Sequence, residues 1–189
     1  MRLLLFRHGL TEANEKRLYA GRTDLPLSAA GREALLAPGL SDSLPPLTGF
    51  RVFTSGALRC EQTLSLLYGE VPHGTLPAFR EMDFGAFEMH SYAELKDDPR
   101  YIAWITGDNE KNVTPGGESG LAMQKRVREA FGALVSRGED VALFTHGGVI
   151  ACLMAMLFPA QGKNRYEWQP APGHGYMVVI GPENRYTAF

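Results

Sequence analysis

Two apolar runs far apart in the chain end in the same way. Leu3-Leu4-Leu5-Phe6-Arg7-His8-Gly9 and Val141-Ala142-Leu143-Phe144-Thr145-His146-Gly147 each lead into His-Gly. In an open α/β sheet, ligands bind in the crevice beyond the carboxyl ends of the strands. Two parallel strands that each deliver a histidine there place both imidazoles at one site. The glycine after each histidine permits a tight turn and a close approach of backbone N–H groups to an anion. One histidine alone is more often a packed or surface residue, so the argument rests on the pair.

A third run, Arg51-Val52-Phe53-Thr54, ends in Ser55-Gly56 and opens a helical stretch with Arg59 near its first turn. Arg59 points away from the face shared by Ala57, Cys60 and Leu64, so it does not serve the core; its ordinary alternative is a solvated surface arginine. A helix N-terminus also attracts anions through its free N–H groups and dipole. Arg7, Arg59, His8, His146 and a helix N-terminus around one crevice suit a phosphate monoester dianion. Guanidinium forks bind phosphate oxygens in pairs and stay charged at any working pH. A neutral imidazole can attack phosphorus and hold the phosphoryl group covalently.

The elements that must position these groups alternate between buried runs and amphipathic stretches. Leu3–Phe6, Arg51–Thr54, Val141–Phe144 and Met177–Ile180 read as strands, with Leu76–Phe79 and the edge segment Tyr186–Phe189 as weaker candidates. Helical patterns run from Ser28 to Leu36, Ala57 to Tyr68, Ser91 to Thr106 with a break at Pro99, Glu118 to Val135, and Gly148 to Leu157. The segment 107–117 reads as an exposed loop, and 159–175 as a loop rich in Pro, Gly and aromatics. This alternation predicts an α/β fold, a three-layer α/β/α sandwich with a mostly parallel central sheet. No repeat or linker divides the chain, so 1–189 is expected to be one domain.

Bulk properties narrow the partners. At 189 residues the chain can hold a core without disulfides or metal, and its 44% apolar and 21% charged residues are ordinary for a globular protein. A net charge of −2 argues against a general basic field for nucleic acid or an anionic membrane. Cys60 and Cys152 lack metal or redox spacing and read as small buried hydrophobes. The first apolar stretch is too short for a signal peptide and no run reaches membrane-spanning length, so the expected location is the cytoplasm.

With these residues in hand, the sequence resembles the histidine phosphatase, or phosphoglycerate mutase-like, superfamily. Arg7-His8-Gly9-Leu10-Thr11-Glu12-Ala13-Asn14 matches its opening signature. Tyr19-Ala20-Gly21 through Asp24-Leu25-Pro26-Leu27 and Gly31 resembles a second block, and Ser55, Arg59, Gln62 and Thr63 a third. Arg80-Glu81-Met82-Asp83-Phe84-Gly85-Ala86-Phe87-Glu88, Pro115-Gly116-Gly117-Glu118-Ser119 and Thr145-His146-Gly147-Gly148 follow in family order.

The resemblance implies a phosphohistidine formed on His8, with Arg7, Arg59 and His146 holding the phosphoryl oxygens. It implies further contacts from Asn14 and from the backbone at Ala20, Gly21 and Gly147. Glu81 becomes the general acid and base by resemblance alone, since spacing does not single it out among the carboxylates. A small cap over the strand ends, roughly residues 80–117, is implied as well. No cofactor or metal is implied, because arginines supply the positive charge, and the histidines show no ligand spacing. The partner implied is a small phosphorylated metabolite; the oligomeric state is left open.

His73 reads as a surface residue, while His90 and His174 are weaker candidates to face substrate. Phe84, Phe87, Tyr92, Trp104 and Trp168 fit core or cap packing first and a pocket wall second. Glu81 is followed by Met82-Asp83-Phe84-Gly85 rather than the Arg-x-Tyr-Gly pattern of cofactor-dependent phosphoglycerate mutases. No long tail follows the last strand candidate to exclude water. Phosphate ester hydrolysis is therefore the expected activity. The pattern around Glu81–Met89 resembles the α-ribazole phosphatase group, which makes α-ribazole 5'-phosphate a candidate substrate. A cofactor-dependent mutase, a non-catalytic phosphate-binding protein and a metal-dependent hydrolase are the alternatives.

Overall fold

Leu3, Leu4, Leu5 and Phe6 are each completely buried, which a strand achieves only when both of its faces are covered. The computed structural model describes residues 1–108 and 110–189. Among them six strands form one sheet: β1 (Arg2–Arg7), β2 (Arg51–Thr54), β3 (Gly74–Thr75), β4 (Val141–Thr145), β5 (Gly175–Val179) and β6 (Arg185–Ala188). Their order is β3-β2-β4-β1-β5-β6. The first four run parallel, while β5 and β6 join antiparallel at one side. The expected three-layer α/β/α sandwich with a mostly parallel sheet is the observed architecture.

The helices are α1 (Glu12–Glu15), α2 (Ala29–Leu35), α3 (Leu40–Ser43), α4 (Leu58–Tyr68), α5 (Tyr92–Leu95), α6 (Pro99–Ile105), α7 (Gly120–Val135) and α8 (Gly147–Leu157). Because successive side chains of a strand point to opposite faces, β1 divides its residues between two cores. Leu3 and Leu5 join Val127 and Phe131 of α7 and Leu153 of α8, whereas Leu4 and Phe6 join Leu35 of α2 and Leu64 of α4. Phe6 stacks on Phe144 of β4 with ring centroids 4.4 Å apart. Burial of such side chains contributes about 1.5–3 kcal/mol each. The two sheet faces are thereby locked to the helices that carry site residues. A third, smaller cluster gathers Phe87, Leu95 and Tyr101, with Tyr19, Phe84 and Trp104 packed against it, in the segment expected to form the cap.

Several local expectations are corrected. Leu76–Phe79 is not a strand: pairing with β2 ends at Thr75, and Pro77–Phe79 is a 3-10 turn. Pro77 has no N–H for a ladder and its fixed φ suits the first position of a turn. The expected break at Pro99 is present: α5 ends at Leu95, and Pro99 begins α6 with the Asp98 side chain as its N-cap. The longest helix starts at Gly120, capped by Ser119, which leaves Glu118 outside it for another role. The 107–117 loop is not uniformly exposed, because Thr114 is fully buried with its hydroxyl donating to Asp83 O at 3.0 Å. Asn109 in that loop lies outside the described residues. Among the described residues no helix is long and apolar enough to cross a membrane.

Candidate active site

Strand register brings the two histidines together. Arg7 pairs with Thr145 at the ends of β1 and β4, so the next residues, His8 and His146, emerge side by side. Their ring centroids are 5.2 Å apart, and the His8 amide donates to Thr145 O at 3.0 Å. The neighbouring β2 ends at Thr54, so Ser55 lies beside His146, with Ser55 Oγ 2.9 Å from its Nε2.

Each imidazole has a tautomer set by its partners. His8 Nδ1 lies 2.7 Å from Gly9 O. A carbonyl can only accept, so Nδ1 carries the proton and Nε2 presents a lone pair. Burial and then the nearby Arg59 charge hold the His8 pKa down to about 3, against an upward pull from Gly9 O and with a lesser contribution from Arg7. His8 is thus a neutral base at neutral pH. Arg59 Nε donates to His146 Nδ1 at 3.3 Å, which leaves His146 Nε2–H to donate to Ser55 Oγ. Burial and then Arg59 also hold His146 well below its ordinary pKa. Nearby Cys60 is completely buried, and burial pushes its thiol up to about 12, so it is a packing group and not a thiolate.

Arg59 lies on the first turn of α4 and is only 2% exposed. Its remaining nitrogens donate to Thr23 O at 3.0 Å and Gly21 O at 2.9 Å. Arg7 donates to Pro170 O at 2.7 Å, and its Nε is buried without a partner among the described residues. Burial lowers the Arg7 pKa, countered in part by the charge of Glu81. Among the described residues neither guanidinium forms a salt bridge. Buried charges are ordinarily paired. Arg59, met only by carbonyls and a neutral ring, and the half-buried Arg7, held by one carbonyl with Glu81 nearby, make a region able to receive an anion.

Glu81 joins this centre from the loop after the 77–79 turn. Its Oε2 accepts from the Gly148 amide at 2.9 Å and its Oε1 from the Met82 amide at 3.0 Å. Gly148 permits the approach, because a Cβ there would come 2.4 Å from Glu81 Oε1. Arg126 of α7 fixes the loop by donating to Ala78 O, Arg80 O and Glu81 O at 2.8, 2.7 and 3.0 Å. Glu118 pairs with Arg126 at 2.6 Å and accepts from the Asp83 amide at 3.1 Å. Freed from α7, Glu118 ties that helix to the Glu81 loop.

The other expected contacts are placed as follows. Asn14 closes a capping box with Thr11, its Oδ1 accepting from the Thr11 amide and hydroxyl at 3.0 Å each. Its side chain borders a cavity of about 420 Å³, together with Ala20, Glu81 and Gly148. His8, Arg59 and His146 are not on the wall of that cavity. Gly21 is buried, and its amide donates to Glu88 at 3.0 Å while its carbonyl holds Arg59. A Cβ on Gly21 would meet Met82 O at 1.6 Å, so only glycine fits between the two loops. Gly147 opens α8 close to Arg7, whose Cζ is 3.3 Å from a Cβ built there.

Some contributors were not singled out from sequence. Glu88 accepts from the amides of Gly21, Arg22, Thr23 and Phe84 and from the Thr23 hydroxyl. Burial pushes its pKa up, but the Thr23 hydroxyl and these amides outweigh it and the net shift is downward. Glu88 lies inside the block that carries the acid, yet nothing in its spacing marks it as the clamp beneath Arg59. Tyr19, Phe84 and Trp104 wall the cavity from the cap, with Arg165, Tyr166 and Gln169 contributed by the late loop. His90 is exposed, its Nδ1 2.8 Å from Glu88 O, and His73 meets Glu61 at the surface. Neither they nor His174 borders this cavity. Trp168 is core and Tyr92 is 60% exposed.

The family model for the histidine phosphatase superfamily (branch 1) matches residues 3–186. An adenosylcobalamin/α-ribazole phosphatase of Salmonella typhimurium is 32% identical over 179 residues, spanning 92% of this chain and 87% of that protein. The structure is similar to that of the α-ribazole phosphatase from Shigella flexneri, with a TM-score of 0.83 and 28% identity over 100% of this chain and 95% of that one. It is also similar to a phosphoglycerate mutase from Thermus thermophilus, with a TM-score of 0.74 and 32% identity over 100% and 98% of the two chains.

Proposed function

The chain belongs to the histidine phosphatase superfamily, and from that membership we propose that it hydrolyses small phosphomonoesters through a phosphohistidine on His8. The observation that carries this reading is the buried guanidinium of Arg59 and the half-buried one of Arg7, neither in a salt bridge among the described residues, beside a neutral imidazole.

In the proposed cycle, His8 Nε2 attacks phosphorus in line with the ester oxygen. Arg7 and Arg59 neutralise charge on the non-bridging oxygens, and they do so in a low-dielectric setting where fixed donors act strongly. Glu81 gives its proton to the departing alkoxide. Once carboxylate again, it takes a proton from the water that attacks phosphohistidine. Inorganic phosphate then leaves and His8 is neutral for the next turnover. Arginines carry the charge that metal ions handle in other phosphoryl-transfer enzymes, so the cycle is proposed to need no metal.

The leaving group occupies the 420 Å³ cavity beside Glu81. Its aromatic wall of Tyr19, Phe84 and Trp104 suits a flat aromatic aglycone. That wall, with the names of the relatives, supports α-ribazole 5'-phosphate as a substrate.

The test is release of inorganic phosphate from a panel of phosphomonoesters in excess EDTA, including α-ribazole 5'-phosphate and 3-phosphoglycerate. Loss on the order of 10⁴-fold or more is expected for His8→Ala, with acid-labile label trapped on the parent protein during turnover. Substantial hydrolysis by the variant, or a strict metal requirement, would overturn the mechanism. Isomerisation of phosphoglycerate in place of release would point to a mutase.

A further inference from the structure

The 420 Å³ cavity beside Glu81 has one cation on its wall among the described residues, Arg165, and one carboxylate, Glu81. Arg165 is already engaged. Its guanidinium pairs with Glu110 at 2.9 Å, with a second contact from Nη2 to Oε2 at 3.1 Å. Glu110 is held in turn by α7. Gln124 Nε2 donates to its Oε2 at 2.9 Å, and its carbonyl accepts from the Leu121 amide at 2.9 Å. A Cβ at Gly120 would fall 2.2 Å from Glu110 Oε2, so the carboxylate lies directly on the first residue of the helix.

A second cavity of about 450 Å³ is bordered by Glu110, Gln124 and Arg128, and Arg165 borders both it and the first. Glu110 borders the second cavity and not the first. Only about a third of each side chain is exposed, so solvent screens the pair less than it would a surface pair.

We propose that the Glu110–Arg165 pair is a specificity element that restricts the enzyme to esters with uncharged leaving groups. A carboxylate or second phosphate on the leaving group needs a cation where it comes to rest. Here it meets an arginine already compensated by Glu110, and Glu81 close by. An uncharged alcohol or nucleoside meets no such penalty. Discrimination of this kind arises from what the wall withholds from the wrong substrate as much as from what it offers the right one. The inference rests on the phosphatase reading and names the substrate class of the same site.

The matched pair 3-phosphoglycerate and glycerol 3-phosphate tests it, since the two differ in a carboxylate against a hydroxymethyl group. The readout is the ratio of their kcat/KM values, anionic over neutral, with thermal unfolding confirming that each variant folds. Glu110→Gln should raise the ratio roughly five- to tenfold, mainly through a lower KM for 3-phosphoglycerate. Arg165→Met leaves Glu110 uncompensated and should lower it. Movement in opposite directions supports the proposal. A ratio that stays fixed while both kcat/KM values fall together would make the pair a structural pin and overturn it. No hydrolysis of any ester by the parent would overturn the phosphatase reading and this inference with it, whereas hydrolysis with an unmoved ratio would overturn this inference alone.

Discussion

The two ends of the proposed site, one for phosphate and one for the leaving group, are built from different materials. At the phosphate end His8, His146 and Arg59 are at most 6% exposed, and each is held by main-chain carbonyls or by groups on strand termini. At the leaving-group end the wall is made of aromatic side chains from the cap and the late loop, and Tyr166 there is 75% exposed. Fixed donors suit chemistry that every phosphate ester shares, because preorganised charge does not need to reorient as the reaction proceeds. Loosely buried side chains can be exchanged without disturbing the sheet, so the proposed reading assigns substrate discrimination to them.

Glu81 stands at the junction, and its replacement should have the largest effect of three that sharpen this contrast. Glu81→Gln should slow hydrolysis of alkyl phosphates roughly 10²–10⁴-fold, since a poor leaving group needs the proton. A nitrophenyl ester, whose phenolate departs unaided, should suffer much less. Equal slowing of both would remove Glu81 from the acid role and blur the boundary between the two ends.

Glu88 tests whether the phosphate end is as fixed as its burial implies. It binds the 21–23 backbone whose carbonyls hold Arg59. Glu88→Gln is expected to destabilise the fold by about 1–3 kcal/mol in urea unfolding at neutral pH. The folded-state pKa of Glu88 is depressed, so its stabilisation is present above the ordinary carboxylate pKa and is lost as pH falls through the lower folded value. The difference between parent and variant should therefore shrink in acid. A constant difference across that window would mean that the carboxylate charge is not what holds the loop.

The smallest effect belongs to the exposed wall. Tyr166→Ala should lower kcat/KM for an aromatic aglycone about two- to tenfold, in keeping with one aromatic contact, and affect glycerol 3-phosphate less. An equal or larger loss for glycerol 3-phosphate would show that this wall serves the phosphate and not the leaving group.

Much of the phosphate end could be read along the chain. The paired strand-His-Gly segments pointed to one crevice because apolar runs of strand length are visible without neighbours. Arg59 stood out because it lies off the apolar stripe of its helix. Other features resisted reading because their partners are remote. Pro77 turned a strand candidate into a 3-10 turn, and Glu118 left α7 to meet Arg126. Glu88 looked like any surface carboxylate until folding brought five donors to it.

Sequence alone thus determined the alternation of strands and helices and the residue types delivered to the strand ends, because hydrophobic period and local turn chemistry act over a few residues. Tertiary structure decided which groups became partners: the β1–β4 register that sets His8 beside His146, and the docking of Glu110 on α7 that sets it against Arg165. Those pairings depend on how separate segments come to rest against one another, a property of the whole packed chain that no short stretch of it encodes.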